Sequence, residues 1–210
     1  ADGLSYRMVP VAMQPGPNVN ADFANNVMMN KFAFGSADIK GVYFDEENRR
    51  HLYGIRQAYL EAANSLSAQG RKDEAKALLQ KVDKGVDDAN VPYGITSRGN
   101  QHNMVSSQMV DAAYKAGDQQ LAAKINAKVR KDLTEQLGYY AFLGDMSVPE
   151  LRQAVQELME GKGDNLNNRQ KSMFQEIRMA FGLQEYLDNI ERTYKNPTPA
   201  AELPGVIQNK

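Results

Sequence analysis

The stretch from Tyr59 to Val82, "YLEAANSLSAQGRKDEAKALLQKV", reads as two helices separated by one glycine. Small and apolar residues recur at helical spacing on both sides of Gly70, and Ala75 follows five positions after it. A glycine in this place takes the left-handed conformation that reverses the chain, and a small residue lets two helix backbones approach closely. The stretch therefore predicts a pair of antiparallel helices.

The same arrangement recurs around Gly117, which lies 47 positions after Gly70. In the stretch "HNMVSSQMVDAAYKAGDQQLAAKINAKV" the glycine is again followed by polar residues and, five positions on, by Ala122. Recurrence of one helical hairpin is typical of repeat proteins, in which each unit buries its apolar face against the next. The alternative is an irregular helical bundle in which two similar turns occur by chance.

The pattern resembles the tetratricopeptide repeat over roughly residues 56–86 and, more loosely, over 103–129. That repeat has a period of about 34 residues, shorter than the spacing here, and a tryptophan that this chain lacks. The resemblance implies a stack of hairpins whose inner helices line one extended groove. We therefore expect an all-α fold, a tetratricopeptide-like stack of antiparallel helical hairpins with an extended N-terminal arm.

Local signals set the ends of the other predicted helices. Asp45 is a good N-cap for a helix over 46–68, and Ser147 with Glu150 three positions later forms a capping box. The remaining predicted elements are a helix over 22–32, a short extended piece over 42–44 and a helix over 169–194. The apolar stripes predict buried positions for Phe23, Val27, Met28, Met104 and Met159.

The chain divides into three predicted regions. Residues 1–44 form an N-terminal arm and short helix packed on the body, 45–195 the helical-repeat domain, and 196–210 a proline-rich tail. The arm carries apolar side chains and Pro10, which fixes the backbone and lowers the entropic cost of docking. A flexible linker, the alternative for the arm, is more often rich in glycine, serine and charge.

Composition excludes several classes of partner and site. The chain has 25 basic and 26 acidic residues, so no basic excess points to nucleic acid. Cysteine is absent, which excludes disulfides, thiolate metal sites and a cysteine nucleophile. We expect this chain not to span a bilayer, because it contains no apolar run of about 18 residues. Its opening, "ADGLSYRMVPV", is typical of the middle of a longer protein or of a processed product.

Motifs for catalysis and metal binding are missing from the sequence. The two histidines, His51 and His102, belong to no two-histidine helix motif, so a surface or capping role is expected for both. The acidic run 45–47 lacks the ligand spacing of a calcium loop and fits a helix N-terminus better. We find neither a phosphate-binding loop nor a nucleophile elbow. We therefore predict no catalytic residue, no metal and no cofactor.

Aromatic residues supply the candidate binding residues. Tyr139, Tyr140 and Phe142 are more densely spaced than one helix face can bury, and exposed aromatic side chains often mark binding surfaces. Tyr93, in the loop "DDANVPYGITSRGN", is a further candidate as a stacking platform for a sugar. We therefore predict a binding role for Tyr93, Tyr139, Tyr140 and Phe142.

Three stretches carry a second resemblance: "GLSYRMVPV", "NNVMMNKFAFGSADIKGVYFDEENRRH" and "AANSLSAQGRKDEAKALLQKV". Together they cover roughly the first 85 residues. They resemble the C-terminal soluble region of a bacterial domain-of-unknown-function family of multi-spanning membrane proteins, whose membrane part looks like a protein O-mannosyltransferase. The resemblance implies an extracytoplasmic location, on the periplasmic side of the inner membrane, within a larger membrane protein. It also implies that any catalytic residues lie outside this chain.

Three functions follow as expectations. The first is a non-catalytic helical-repeat domain of a membrane glycosyltransferase-like protein that presents a surface to a protein or peptide. The second is a carbohydrate-binding module that stacks a glycan on exposed tyrosines. The third, an independent hydrolase, would need a compact pocket with paired carboxylates.

Overall fold

The computed structural model describes residues 19–161 and 168–195, and within them the chain is all-helical. The predicted arm over residues 1–18 and the predicted tail over 196–210 lie outside the described residues. None of the helices in the described ranges is long and apolar enough to cross a membrane. The helices are α1 (Ala21–Asn30), α2 (Glu46–Ala68), α3 (Lys72–Gly85), α4 (Gln101–Lys115), α5 (Gln119–Leu143), α6 (Val148–Met159) and α7 (Asn168–Lys195), with a 3-10 turn over Arg98–Asn100 before α4.

The first hairpin consists of α2 and α3. Asp45 caps α2 as predicted, because its carboxylate accepts a hydrogen bond from the Asn48 amide at 2.8 Å. Gly70 ends the helix in the left-handed region, at φ +78°. The amide of Arg71 then donates to the carbonyl of Leu66 at 3.0 Å, which satisfies an otherwise unpaired helix carbonyl. These signals fix where α2 stops and α3 turns back.

The second hairpin, α4 and α5, closes with the same turn. Gly117 has a φ of +77°, and the Asp118 amide donates to the carbonyl of Ala113 at 2.8 Å. Asp118 also caps α5, because its carboxylate accepts a hydrogen bond from the Leu121 amide at 3.1 Å. The two turns therefore have the same backbone geometry.

A third turn of this kind joins α5 to α6, with an aspartate instead of a glycine at the left-handed position. Asp145 takes the left-handed position at φ +50°, and the Met146 amide donates to the carbonyl of Ala141 at 3.1 Å. The predicted capping box follows, with the Glu150 carboxylate accepting from the Ser147 amide at 2.7 Å. The turn thus ends α5 and begins α6 within four residues.

The two hairpins pack against each other, and the remaining helices pack around them. In addition to the pairings within each hairpin, α2 packs against α4, and α7 packs against both α4 and α5. The helix α1 lies on α2 and α3, and α6 lies on α5 and α7. The largest fully buried side chains of the core are Tyr59, Tyr93, Met28, Leu66, Leu78, Leu79, Met109, Ile125, Leu133, Leu137, Leu187 and Val82.

Several local predictions were wrong. Phe23 is 44% exposed, because α1 turns Ala21, Ala24 and Met28 inward and packs through its small residues. Met104 and Met159 are also exposed, at 37% and 61%. Apolar periodicity thus predicted burial for three side chains that are exposed, because no described segment covers them.

Candidate binding groove

Tyr93 lies in the core, and this contradicts its predicted exposure. Its ring is fully buried, its hydroxyl donates to the Asp83 carboxylate at 3.0 Å, and the Arg56 guanidinium lies 4.2 Å above the ring centroid. Burial raises the pKa of Tyr93 far above its usual range. A sugar cannot stack on this ring, so Tyr93 holds the α3–α4 connection instead.

Arg56 of α2 is the centre of that connection. It is 3% exposed and donates to the carbonyls of Val91 at 2.6 Å and Pro92 at 3.2 Å. Burial lowers the pKa of the Arg56 guanidinium, and the neighbouring carboxylates of Asp83 and Asp88 act in the opposite direction. The two terminal nitrogens of Arg56 pair with backbone carbonyls of the loop, whereas its buried Nε has no hydrogen-bond partner among the described residues. The cluster ties α2 to the loop and, because Arg56 and Tyr93 are buried, leaves no open site.

The α3–α4 connection is also fastened to α5. The Lys128 ammonium contacts Asp88 of the loop at 3.0 Å, and Lys124 contacts Asp83, near the end of α3, at 2.6 Å. Gly94 lies so close that a β-carbon there would come within 2.3 Å of the Lys128 carbonyl oxygen. Only glycine permits this approach of the loop to the helix.

The predicted aromatic cluster at the end of α5 is partly exposed. Tyr139 and Phe142 are 59% and 81% exposed, and Leu143 beside them is 51% exposed. Tyr140 is half-buried, with its ring centroid 5.7 Å from that of Tyr139. Burial and the Glu176 carboxylate raise the pKa of the Tyr140 hydroxyl. Two of the three predicted residues therefore present a ring to the surface.

The two histidines occupy separate surroundings. His51 is exposed and contacts Glu47 at 3.5 Å within the same helix. His102 is half-buried, with its ring centroid 4.3 Å from that of Tyr53. Burial, together with the Arg56 charge, lowers the pKa of His102. Among residues 19–161 and 168–195, no group of three or more histidine, aspartate and glutamate side chains is placed to hold a metal ion.

A groove opens between α6 and α7. It has a volume of about 510 Å³, which lies within the range of ligand-binding clefts. Val155 and Phe181 form its floor and are almost fully buried, whereas Met159 and Met179 are 61% and 39% exposed. The lining residues are Arg152, Val155, Gln156, Met159, Arg178, Met179, Phe181, Gly182 and Glu185.

Charges in the groove are unequally paired. Arg152 contacts the Glu185 carboxylate at 2.8 Å, and its guanidinium lies 4.1 Å above the Phe181 ring centroid. Among the described lining residues, Glu185 is the one carboxylate. Arg178, by contrast, makes no hydrogen bond or ion pair to any described residue. Within the described residues, the groove thus combines an apolar floor with one positive charge, that of Arg178, that has no partner.

Gly182 leaves the backbone of α7 open to this groove. A β-carbon built on it would meet no atom within 4 Å. A glycine inside a helix costs about 0.5–1 kcal/mol relative to alanine, and the packing of the described residues does not require one here. The space is therefore available to a bound molecule.

Sequence reasoning missed this groove, because Val155, Met159 and Phe181 fall on the apolar stripes of their helices. Such stripes normally mark the core. The one signal in the sequence was Gly182, a glycine in the middle of a segment whose other residues favour a helix. Comparisons with family models, with curated proteins and with solved structures found no match.

Proposed function

We propose that this chain is a non-catalytic helical domain that binds a protein or peptide in the groove between α6 and α7. The observation that carries the proposal is the groove itself, where two exposed methionines flank an apolar floor and two arginines lie among them. Methionine adapts to varied partner shapes, and arginine is enriched where proteins contact one another. A polypeptide segment matches this mixture of apolar and cationic surface.

The architecture we propose around the groove is a stack of helical hairpins of the tetratricopeptide type. Two observations support it: the shared geometry of the turns at Gly70 and Gly117, and the contact between α2 and α4, the first helices of the two hairpins. Successive first helices that touch one another would extend a single binding surface.

The setting we propose is a larger membrane protein of the glycosyltransferase-like family, with this chain on the periplasmic side of the inner membrane. Its support is the resemblance carried by roughly the first 85 residues. The reading frame of the gene tests this setting. Membrane-spanning segments encoded upstream in one frame with the chain are expected, and a frame without them would contradict the proposed setting.

The groove is tested by panning a random peptide library, displayed on phage, against the immobilised chain. Recovered peptides are synthesised, and their dissociation constants are measured for the wild type and for a Met159→Glu, Met179→Glu variant. We expect at least a tenfold loss of affinity, because the two carboxylates would place charge on the apolar contact. Met104→Glu is the matched control, since Met104 is 37% exposed on α4, outside the groove.

Recovered peptides that bind the groove variant as tightly as the wild type would overturn the proposal. Thermal melting of each variant verifies that it is folded. Because the substituted methionines are partly exposed, the introduced carboxylates can stay in contact with solvent.

A second candidate function is carbohydrate binding at the end of α5. The exposed rings of Tyr139 and Phe142 favour it, because a flat aromatic surface stacks against the apolar face of a sugar. Calorimetric titration with a panel of oligosaccharides tests this candidate. Binding lost in Tyr139→Ala and kept in Tyr43→Ala, a control at an 82% exposed tyrosine, would support it.

A further inference from the structure

We propose that the partner in the α6–α7 groove is an acidic amphipathic helix, which places a bulky apolar side chain over Gly182 and a carboxylate beside Arg178. This inference rests on the proposed function and names the class of partner. It is carried by three features of the groove: the spacing of its lining residues, the open backbone at Gly182 and the uncompensated charge of Arg178.

The lining residues follow one face of each helix. On α6 they are Arg152, Val155, Gln156 and Met159, spaced at i, i+3, i+4 and i+7. On α7, Arg178, Gly182 and Glu185 are spaced at i, i+4 and i+7. Each stripe extends over about 10 Å of helix axis, or two turns. Two neighbouring helices with such free stripes form a trough that a third helix can fill by ridges-into-grooves packing.

A helix also suits the chemistry of the floor. An extended peptide needs hydrogen-bond partners for its own backbone, as it finds at the edge of a sheet. The helices α6 and α7 satisfy their interior backbone groups internally, and Val155 and Phe181 offer no polar atom. A helical partner brings its backbone already paired, so it can cover the floor without leaving unpaired amides.

Gly182 marks the point of closest approach. Because its missing side chain leaves open space within 4 Å, a large apolar side chain of the partner can reach the α7 backbone there. Gly138 of α5 and Gly54 of α2 are also helical glycines with nothing within 4 Å of a built β-carbon, but they do not line the groove. The combination of an open glycine and a groove occurs at Gly182.

Charge complementarity defines the flank of the partner. Glu185 already compensates Arg152 at 2.8 Å, whereas the Arg178 guanidinium has no partner among the described residues. Arg178 lies one turn before Gly182 on the same face of α7. A carboxylate one turn from the partner's anchoring side chain would therefore meet it, and arginine favours bidentate pairing with carboxylates.

The test uses the full chain and a phage library of random 18-residue peptides. Enriched peptides are synthesised, and binding is measured by fluorescence anisotropy for the wild type, Gly182→Leu and Arg178→Gln. The matched control is Gly138→Leu. We expect enriched sequences with apolar residues at helical spacing and an acidic flank, and a gain of helical circular dichroism on binding. Affinity should fall at least tenfold in Gly182→Leu and about fivefold in Arg178→Gln, and stay within twofold in Gly138→Leu.

The outcomes separate the two proposals. If no enriched peptide loses affinity for Gly182→Leu, peptide binding in this groove is wrong, and the present inference fails with it. If peptides lose affinity for Gly182→Leu but gain no helicity, or bind Arg178→Gln as tightly as the wild type, the groove binds peptides and the acidic helix is wrong. Leucine favours helix more than glycine does, so Gly182→Leu should melt no lower than the wild type.

Discussion

The guanidinium of Arg56 lies 4.2 Å above the ring of Tyr93, although 36 residues separate the two in sequence. The same guanidinium donates to the carbonyls of Val91 and Pro92. One side chain of α2 thereby fixes the loop that joins the two hairpins.

Replacing Arg56 with methionine is therefore expected to destabilise the fold. The volume is nearly kept, but the buried carbonyls of Val91 and Pro92 lose their donor, at about 1–3 kcal/mol for each unpaired group. Urea unfolding of Arg56→Met should show a loss of about 2–4 kcal/mol. Arg50→Met is the control on the same helix, because the Arg50 side chain is 67% exposed, and it should change stability by less than about 0.5 kcal/mol. Equal midpoints for the two variants would refute this role of Arg56.

Asp145 occupies a backbone conformation that Gly70 and Gly117 occupy in the equivalent turns. A left-handed φ of +50° is strained for a residue with a β-carbon, whereas glycine adopts it freely. We expect Asp145→Gly to raise the free energy of unfolding by up to about 1 kcal/mol. In contrast, Gly117→Ala should lower it by about 1 kcal/mol. Denaturant titrations of both variants check the pair, and a shift of the same sign in both would contradict the argument.

Ala75 and Ala122 are both fully buried near the starts of the second helices of their hairpins. A glutamate at either position would bury an unpaired carboxylate where two helices meet, at a cost of several kcal/mol. We expect Ala75→Glu and Ala122→Glu each to lower the melting temperature by about ten degrees or more. In a domain of this length, each kcal/mol of lost stability lowers the melting temperature by roughly 2–4 °C. Ala123→Glu, at an exposed neighbouring position, should melt close to the wild type.

His102 is expected to make stability depend on pH. Its pKa is lowered in the folded state, because burial and the Arg56 charge disfavour the imidazolium. The unfolded chain therefore binds the proton first, and folded stability is lost as pH falls below about 6.5. Melting temperatures between pH 7.5 and 5 should fall less steeply in His102→Gln than in the wild type. His51→Gln, at an exposed ring, should keep the wild-type slope, and parallel curves for all three proteins would exclude His102 as the cause.

The turns and caps were predictable because each is encoded within a few residues. Gly70, Gly117, Asp118 and Ser147 all act on backbone groups within one helical turn of themselves. The left-handed conformation of Asp145 was not predicted, because an aspartate indicates that conformation less clearly than a glycine does. Such local signals placed the bounds of α2 correctly and those of α7 to within one residue.

Burial at longer range was not predictable in the same way. Whether Tyr93 is a surface platform or a core residue depends on Arg56, which the sequence places in another helix. The groove depends on how α6 and α7 pack against each other, and apolar periodicity in one helix carries no information about that packing. The candidate site therefore emerged from the packing, and of the predicted residues Tyr139 and Phe142 offer an exposed ring.

The loop between the hairpins also has a consequence for folding. It is held by Arg56 from α2 and by Lys128 from α5, and Lys124 of α5 contacts Asp83 near the end of α3, so opening either hairpin breaks these contacts. Arrays of independent repeats can unfold piecewise, one unit at a time. Here the same contacts join both hairpins, so the two hairpins should unfold together as a single cooperative unit. Amides in the middle of α2 and of α5 should then exchange their hydrogens with the same free energy of opening.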